Sequence, residues 1–358
     1  MFPYWLLFAV FAVGSIQSNQ RQTSVQRAGP LLVLAGLFVA AMVGLRLEVG
    51  GDWGNYLRIY QTISYLDFGQ VLAFSDPGYA LLNWIANKLN VGIWFVNLIC
   101  AAVFAWGLVS FARQQPNPWL AVLIAVPYLI IVVGMGYTRQ AVAIGFILAG
   151  LAHSDRNSLA RFTIYVVLAA AFHKSAVVVL PLVALAATRQ RFVTAGILFL
   201  TAILLYYLFV EASIDRMMVN YIEAEYESQG AAIRVAMNLP PALVFLLFQR
   251  RFGLSEQARK LLRNFSLASL VSMLMLLLTA SSTAVDRISL YLIPLQIVIL
   301  SRLPAAFPDR ARANGQLMLL VIAYSAAVQF VWLNFADHAY AWVPYRFYPI
   351  SEATQGRF

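Results

Sequence analysis

Long apolar runs broken by short polar stretches are the dominant pattern in this chain. A helix crossing ~30 Å of hydrocarbon needs about 20 apolar residues. Runs near that length fall at 2–17, 30–45, 91–112, 119–136, 137–152, 192–210, 233–249, 264–283, 288–300 and 316–334. The pattern predicts an all-α polytopic membrane protein with about ten full transmembrane helices. A further run at 162–187 is treated below as a re-entrant hairpin, for up to twelve segments in all. No internal repeat, heptad or soluble domain interrupts the pattern, so residues 1–358 are expected to form a single integral membrane domain.

Composition agrees with the pattern. Of the 358 residues, 61% are hydrophobic and 11% charged, and the mean hydropathy is +0.75. A soluble domain of this length has too little interior to hide so much apolar surface. The run from Phe2 to about Val13 lacks a basic leader and a clear small-residue cleavage site, so a retained helix is expected there. The single cysteine, Cys100, lies in an apolar run and rules out a disulfide framework.

The net charge of +10 would suggest nucleic acid in a soluble protein. Here its distribution reads as topology. One alternating set of loops holds Arg21, Arg27, Arg113, Arg156, Arg161, Arg189, Arg191, Arg250, Arg251, Arg259, Lys260, Arg263, Arg302, Arg310 and Arg312. Only Asp155, Glu256 and Asp309 among the acidic residues fall with them. Basic residues stay in cytoplasmic loops. Both termini are therefore expected on the extracytoplasmic side of a bacterial plasma (inner) membrane, and no nucleic-acid partner is expected.

The run "RFTIYVVLAAAFHKSAVVVLPLVALAATRQR" has basic residues at both ends. A single crossing there would invert everything downstream and put the basic 249–263 loop outside. A re-entrant hairpin over 162–187, broken near His173-Lys174-Ser175, keeps the charge rule intact. Its tip would lie at membrane depth, where irregular polar backbone is tolerated only against a cavity or inside protein.

Other polar groups gather on the same expected side. Residues 46–90 form an extracytoplasmic loop and interfacial-helix region. It contains "GLRLEVGGDWGNYLRIY", with Arg46, Asp52, Trp53, Tyr56 and Tyr60, and "SDPGYALLNWIANKLN", with Asp76, Tyr79, Trp84 and Lys88. "YTRQAVAIGF" places Arg139 at a span start, and "STAVDRISLYLIP" places Asp286 and Arg287 at another. The C-terminal "FADHAYAWVPYRFYP" supplies Asp337, His338, Trp342, Tyr345 and Arg346. Aromatic belts and arginines that snorkel to lipid phosphate are the ordinary structural readings of such residues.

The ordered set "GGDWGNYLRIY", "SDPGYALLNWI", "YTRQAVAIGFIL", "AAAFHKSAVVVLPL" and "DRISLYLIPLQ" resembles the EpsG family of bacterial exopolysaccharide membrane proteins. The likeness covers residues from about 46 to 300. Where the family pattern has Glu-Pro-Gly, this chain has Asp76-Pro77-Gly78, which keeps the carboxylate and shortens its reach. The resemblance implies a GT-C-like or Wzy-like role: polymerising polyprenyl-diphosphate-linked oligosaccharide repeat units at the extracytoplasmic face.

The residue types suit that chemistry. Aromatic faces bind the C–H surfaces of sugars, and carboxylates bind their hydroxyls. Trp53, Tyr56, Tyr60, Tyr79, Asp76, Asp286, Tyr345 and Arg346 are the substrate-binding candidates. A departing diphosphate needs cations, and arginine offers it a bidentate fork. Arg139 and Arg287, with Arg46 and Lys174, are available. The acceptor hydroxyl needs a base, and both His173 and Asp52 remain candidates. No DxD-like pair or metal-ligand spacing is present, so no metal or cofactor is expected. The reaction expected is a metal-independent inverting displacement. Its partners would be lipid-linked donor and acceptor glycans, the bilayer, and a chain-length regulator. A lipid-linked oligosaccharide flippase and a membrane O-acyltransferase are the alternatives. The first would favour two related halves, and the second a histidine open to a cytoplasmic acyl donor.

Overall fold

The computed structural model describes residues 1–21, 29–153, 159–187, 230–278, 282–307 and 311–350, with a few positions between 192 and 203. The span expected at 192–210 and the acidic loop after it lie outside the described residues. Among the described residues every named element is helical, and an isolated antiparallel bridge joins Arg46 to Phe347.

In chain order the helices are α1 (Phe2–Arg21), α2 (Gly29–Gly44), α3 (Trp53–Ser64), α4 (Phe68–Leu72), α5 (Pro77–Lys88) and α6 (Ile93–Ala112). Next come α7 (Pro118–Ala125), a π-helical stretch Val126–Gly134, α8 (Thr138–His153), α9 (Leu159–Phe172), a 3₁₀ turn Lys174–Val178 and α10 (Val179–Ala187). The last are α11 (Ala231–Ala236), α12 (Leu239–Phe248), α13 (Glu256–Leu278), α14 (Ser282–Ser289), α15 (Ile293–Ala306) and α16 (Ala311–Phe335).

Five stretches among the described residues are long and apolar enough to cross a membrane: Ile93–Ala112, Ala231–Phe252, Glu256–Leu278, Val285–Ala306 and Asn314–Phe335. Shorter apolar stretches are Phe2–Ser18, Gly29–Gly44, Pro118–Gly134, Leu159–Phe172 and Lys174–Ala187. The protein is an all-α polytopic membrane protein. Its lipid-facing residues are legible as exposed leucines and phenylalanines on α13 and α16, such as Leu274, Leu277, Leu319 and Phe330.

Close packing at the centre depends on small residues. A Cβ on Gly107 of α6 would stand 1.9 Å from the carbonyl oxygen of Gly145 on α8. Without a hydrophobic drive between helices in lipid, such close backbone approach supplies the dispersion contact that holds them. Pro127 sits at the start of the π-helical stretch. It has no N–H to donate, which favours a widened turn there. The indole Nε1 of Trp342 donates to the Ile131 carbonyl of that stretch over 2.9 Å.

The two ends of the bundle differ in chemistry. At one end Arg113 donates to the Gly29 carbonyl, Arg302 to Gln115 and the Gln114 carbonyl, and Arg161 to the His153 carbonyl. Arg251 lies 4.9 Å from the ring centroid of Phe307 at this end. These are members of the basic loop set. At the other end the start of α1 meets the C-terminal segment, with Tyr4 donating its hydroxyl to the Trp342 carbonyl. Ala341 there accepts from the Gly50 amide. The beginning of the chain and its C-terminal strap thus share one end with Asp52, opposite the basic loops.

Candidate functional site

Helices α3, α4 and α5 are short and amphipathic, and they lie over the non-basic end. Asp67 and Gln70 close a full capping box at α4, which is the usual task of an aspartate before a helix. Asp52 and Asp76 hold the same N-cap position at α3 and α5, and neither caps with its side chain. Their carboxylates are directed elsewhere. Asp76 takes Arg139 of α8, Nη1 to Oδ2 2.5 Å. Asp52 accepts from Asn55 over 3.4 Å and faces the charges of Arg287 and Arg139.

Both carboxyls lie at helix starts outside the apolar spans, and burial raises each above the ordinary aspartate range. Arg287, then Arg139, pulls Asp52 back toward the carboxylate. Arg139, with Lys174, does the same for Asp76. Arg139 also places its guanidinium carbon 5.9 Å from the ring centroid of Tyr56. Tyr56 in turn meets Tyr79 edge to face, centroids 5.6 Å apart. One carboxylate, one guanidinium and two phenol rings are therefore held together by α3, α5 and α8.

His173 stands at the break between α9 and the 3₁₀ turn, with extended backbone. Its Nδ1 is 2.9 Å from the Ser175 hydroxyl, which itself donates to the Tyr291 hydroxyl over 3.3 Å. The charges of Arg139, Arg287 and Lys174 all reach the imidazole. A Cβ on Gly78 at the start of α5 would meet the Ala171 carbonyl at 3.0 Å, so the end of α9 sits directly under the Asp76 turn. Further on, Asn264 of α13 donates to the Leu182 carbonyl of α10 over 2.9 Å. α13 starts at the basic end with Glu256 paired to Arg259 and Lys260.

Several candidates have structural tasks. Arg46 is 1% exposed. It spends its guanidinium on the Val43 and Val49 carbonyls and on Thr138, at 2.6, 3.1 and 2.7 Å, with Trp53 5.8 Å away. Tyr345 donates to the Met42 carbonyl over 2.8 Å, and Arg346 pairs with Glu48. Tyr345 and Arg346 join the strap to the segment leading into Asp52 by their side chains, and Arg46 does so by its backbone bridge to Phe347. Tyr60 is half-buried, and its carbonyl accepts from Asn87. Lys88 lies 5.5 Å over Trp84, at the rim of the small-helix layer. Asp337 and His338 are exposed beyond α16.

Asp286 is buried and receives a two-pronged fork from Arg234 of α11, at 2.7 and 2.6 Å. Arg287, its neighbour, is exposed. Arg234, Ser175, Tyr291 and Gln140 were not among the candidates read from the sequence. The one signal for Arg234 was its position: an arginine four residues before Asn238, just ahead of a Pro-Pro helix start.

Comparison with curated proteins finds no match, and comparison with solved structures finds none. A family model does match, over residues 30–347. That span includes both unused N-cap aspartates, the Arg139 turn, the His173 break and the Asp286-Arg287 corner, and the chain belongs to the EpsG family.

Proposed function

We propose that the protein is a membrane glycosyltransferase that polymerises exopolysaccharide. It would join polyprenyl-diphosphate-linked repeat units at the end of the bundle opposite the basic loops. The EpsG family is associated with exopolysaccharide biosynthesis. The observation that carries the reading further is that Arg139 pairs with Asp76 while Gln140, the next residue of α8, holds the carbonyl of Arg287. One turn of α8 thus ties two cations to the end of the bundle that carries Asp52 and His173.

In the proposed reaction the anomeric carbon of the donor glycan loses its bond to the diphosphate oxygen and gains one to the acceptor hydroxyl oxygen. The diphosphate leaves onto Arg139 and Arg287, whose preformed charge costs no reorganisation at the moment of bond cleavage. The hydroxyl proton goes to His173 or Asp52. Ser175 favours histidine. Because its hydroxyl donates to Tyr291, its oxygen is open to accept from Nδ1–H, which leaves Nε2 as the basic nitrogen. A direct displacement inverts the anomeric centre. Tyr56 and Tyr79, expected from the sequence to bind sugar, are 2% and 1% exposed; they pack behind Arg139 and support its guanidinium.

The re-entrant reading of 162–187 belongs to the same proposal. α9 ends at Phe172 and the chain breaks at His173 into a 3₁₀ turn before α10, a break that one continuous crossing helix would not contain. The contacts of α10 with α13 support a return toward the basic end.

The test is reconstitution of the purified protein in vesicles with a lipid-linked repeat unit. Glycan longer than one repeat on the carrier lipid is the expected product. Transfer of single units across the bilayer without elongation would instead identify a flippase. Acyl groups added to a polymer of unchanged length would identify an O-acyltransferase.

A further inference from the structure

Three side chains from two other helices converge on the corner that carries Arg287. From α11 and the turn after it, Arg234 forks onto the Asp286 carboxylate, and Asn238, one turn on, donates to the Ser289 carbonyl over 3.2 Å. From α8, Gln140 donates its Nε2 to the carbonyl of Arg287 itself over 2.6 Å. The network continues inward, because Gln296 of α15 donates to the Asn238 side chain over 2.7 Å. Within the corner Ser289 donates back to the Asp286 carbonyl over 2.7 Å.

The arrangement fixes the backbone on either side of Arg287 and leaves its side chain exposed. It also links the two arginines. Gln140 is the residue after Arg139, so one turn of α8 presents one guanidinium to Asp76 and holds the backbone of the other. A buried ion pair such as Arg234–Asp286 gives little net stability against an apolar pair of like volume, but its two-pronged geometry sets orientation. We infer that Arg234 and Gln140 are positioning residues for Arg287, holding the α14 corner so that its guanidinium and that of Arg139 keep a spacing suited to one diphosphate. The ligand named here rests on the polymerase reading; the mechanical part does not.

The test is a double-mutant cycle read by affinity for polyprenyl diphosphate carrying no sugar, with the protein in lipid nanodiscs. Arg287→Ala and Arg234→Ala should each weaken binding about tenfold or more, as expected for loss of a bidentate charge contact. If Arg234 acts through Arg287, adding Arg234→Ala to the Arg287→Ala chain should change affinity less than about twofold, because coupled residues are not additive. Additive losses would overturn the proposal. If Arg234→Ala does not accumulate, Gln140→Ala, which removes one hydrogen bond and no charge, completes the same cycle. The exchanged pair Arg234→Asp with Asp286→Arg should recover part of the binding. Hydrogen exchange at amides 285–290 gives a second readout: it should rise in Arg234→Ala and in Gln140→Ala, and unchanged exchange in both would overturn the proposal. Failure of the wild-type protein to bind polyprenyl diphosphate, with exchange still raised in the two variants, would overturn the polymerase reading and leave the positioning role standing.

Discussion

Asp76 and Arg139 stand 63 positions apart in the chain and close an ion pair of 2.5 Å. The pair ties the small-helix layer to the helix core. Asp76 gives up the N-cap bond that its place before Pro77 would ordinarily make. The forgone cap would contribute about 1 kcal/mol, so the arginine contact is the interaction the structure keeps.

That pair sets the first expected outcome. Arg139→Ala should lower the elongation rate by ~10²–10³, the usual cost of losing one preorganised donor at a developing charge. Arg139→Lys should recover only part, since the ammonium keeps charge but loses the fork. Elongation is measured as glycan length per unit of protein in the membrane. Normal polymer from Arg139→Ala at wild-type abundance would return the residue to a structural role.

The identity of the base can be read from pH dependence. Burial raises the Asp52 carboxyl above its ordinary range, and Arg287 opposes that rise. If Asp52 is the base, the rate climbs with pH as Asp52 loses its proton, on a limb above the ordinary value of about 3.9. Removing Arg287 withdraws a charge that favours the carboxylate, so Arg287→Ala should move this limb to higher pH. Asp52→Asn should abolish it. Because the charge of Arg287 reaches His173 as well, the asparagine variant decides: a limb that survives Asp52→Asn assigns the proton to His173.

The Ser175 link separates orientation from proton transfer at His173. Ser175→Ala removes the Nδ1 partner and leaves the imidazole in place. It should cost about tenfold in rate, within the range of general acid–base effects, with little change in donor-lipid binding. His173→Gln can hydrogen-bond but takes up no proton, so it should be as inactive as His173→Ala. Activity in the glutamine variant would show that His173 only orients.

Topology has a direct chemical test. Tyr65 is 88% exposed at the C-terminal end of α3, and Glu256 opens α13 at the basic end. A cysteine replacing Tyr65 should react with an impermeant thiol reagent added outside the cell, and one replacing Glu256 should not. Cys100 is buried and free and serves as the unreactive background. The reverse pattern would move the proposed site to the cytoplasmic face.

The strap predicts a stability effect. Trp342 is 2% exposed, and a Cβ on Gly136 would come within 2.4 Å of its indole ring. Trp342→Ala should therefore destabilise the protein by about 3–5 kcal/mol, the range for emptying a buried aromatic position. Gly136→Val should lower the thermal midpoint in detergent as well, by forcing the ring out. A melt unchanged in both variants would show that the strap is dispensable to the fold.

The membrane class and the two-ended charge division were legible in the sequence, because both follow from local quantities. Apolar length sets what can span a bilayer, and the alternation of Arg and Lys between loops sets which loops share an end. The cores of the helices expected at 91–112 and 137–152 are found as Ile93–Ala112 and Thr138–His153 for that reason. The family motifs also marked Asp52, Asp76, Arg139, His173 and Arg287, since each departs from an apolar run at a point where a polar side chain is costly. Only the tertiary structure decided who partners whom. Arg46 and Arg139 carry the same charge and lie in equally motif-rich segments. One ends among backbone carbonyls at 1% exposure, and the other pairs with Asp76 at the opening of the site. Asp286 is followed by an arginine in the chain, yet it receives its fork from Arg234, 52 positions away. Such pairings depend on which helix faces meet, and that follows from close contacts such as Gly107 against Gly145, which no single segment specifies.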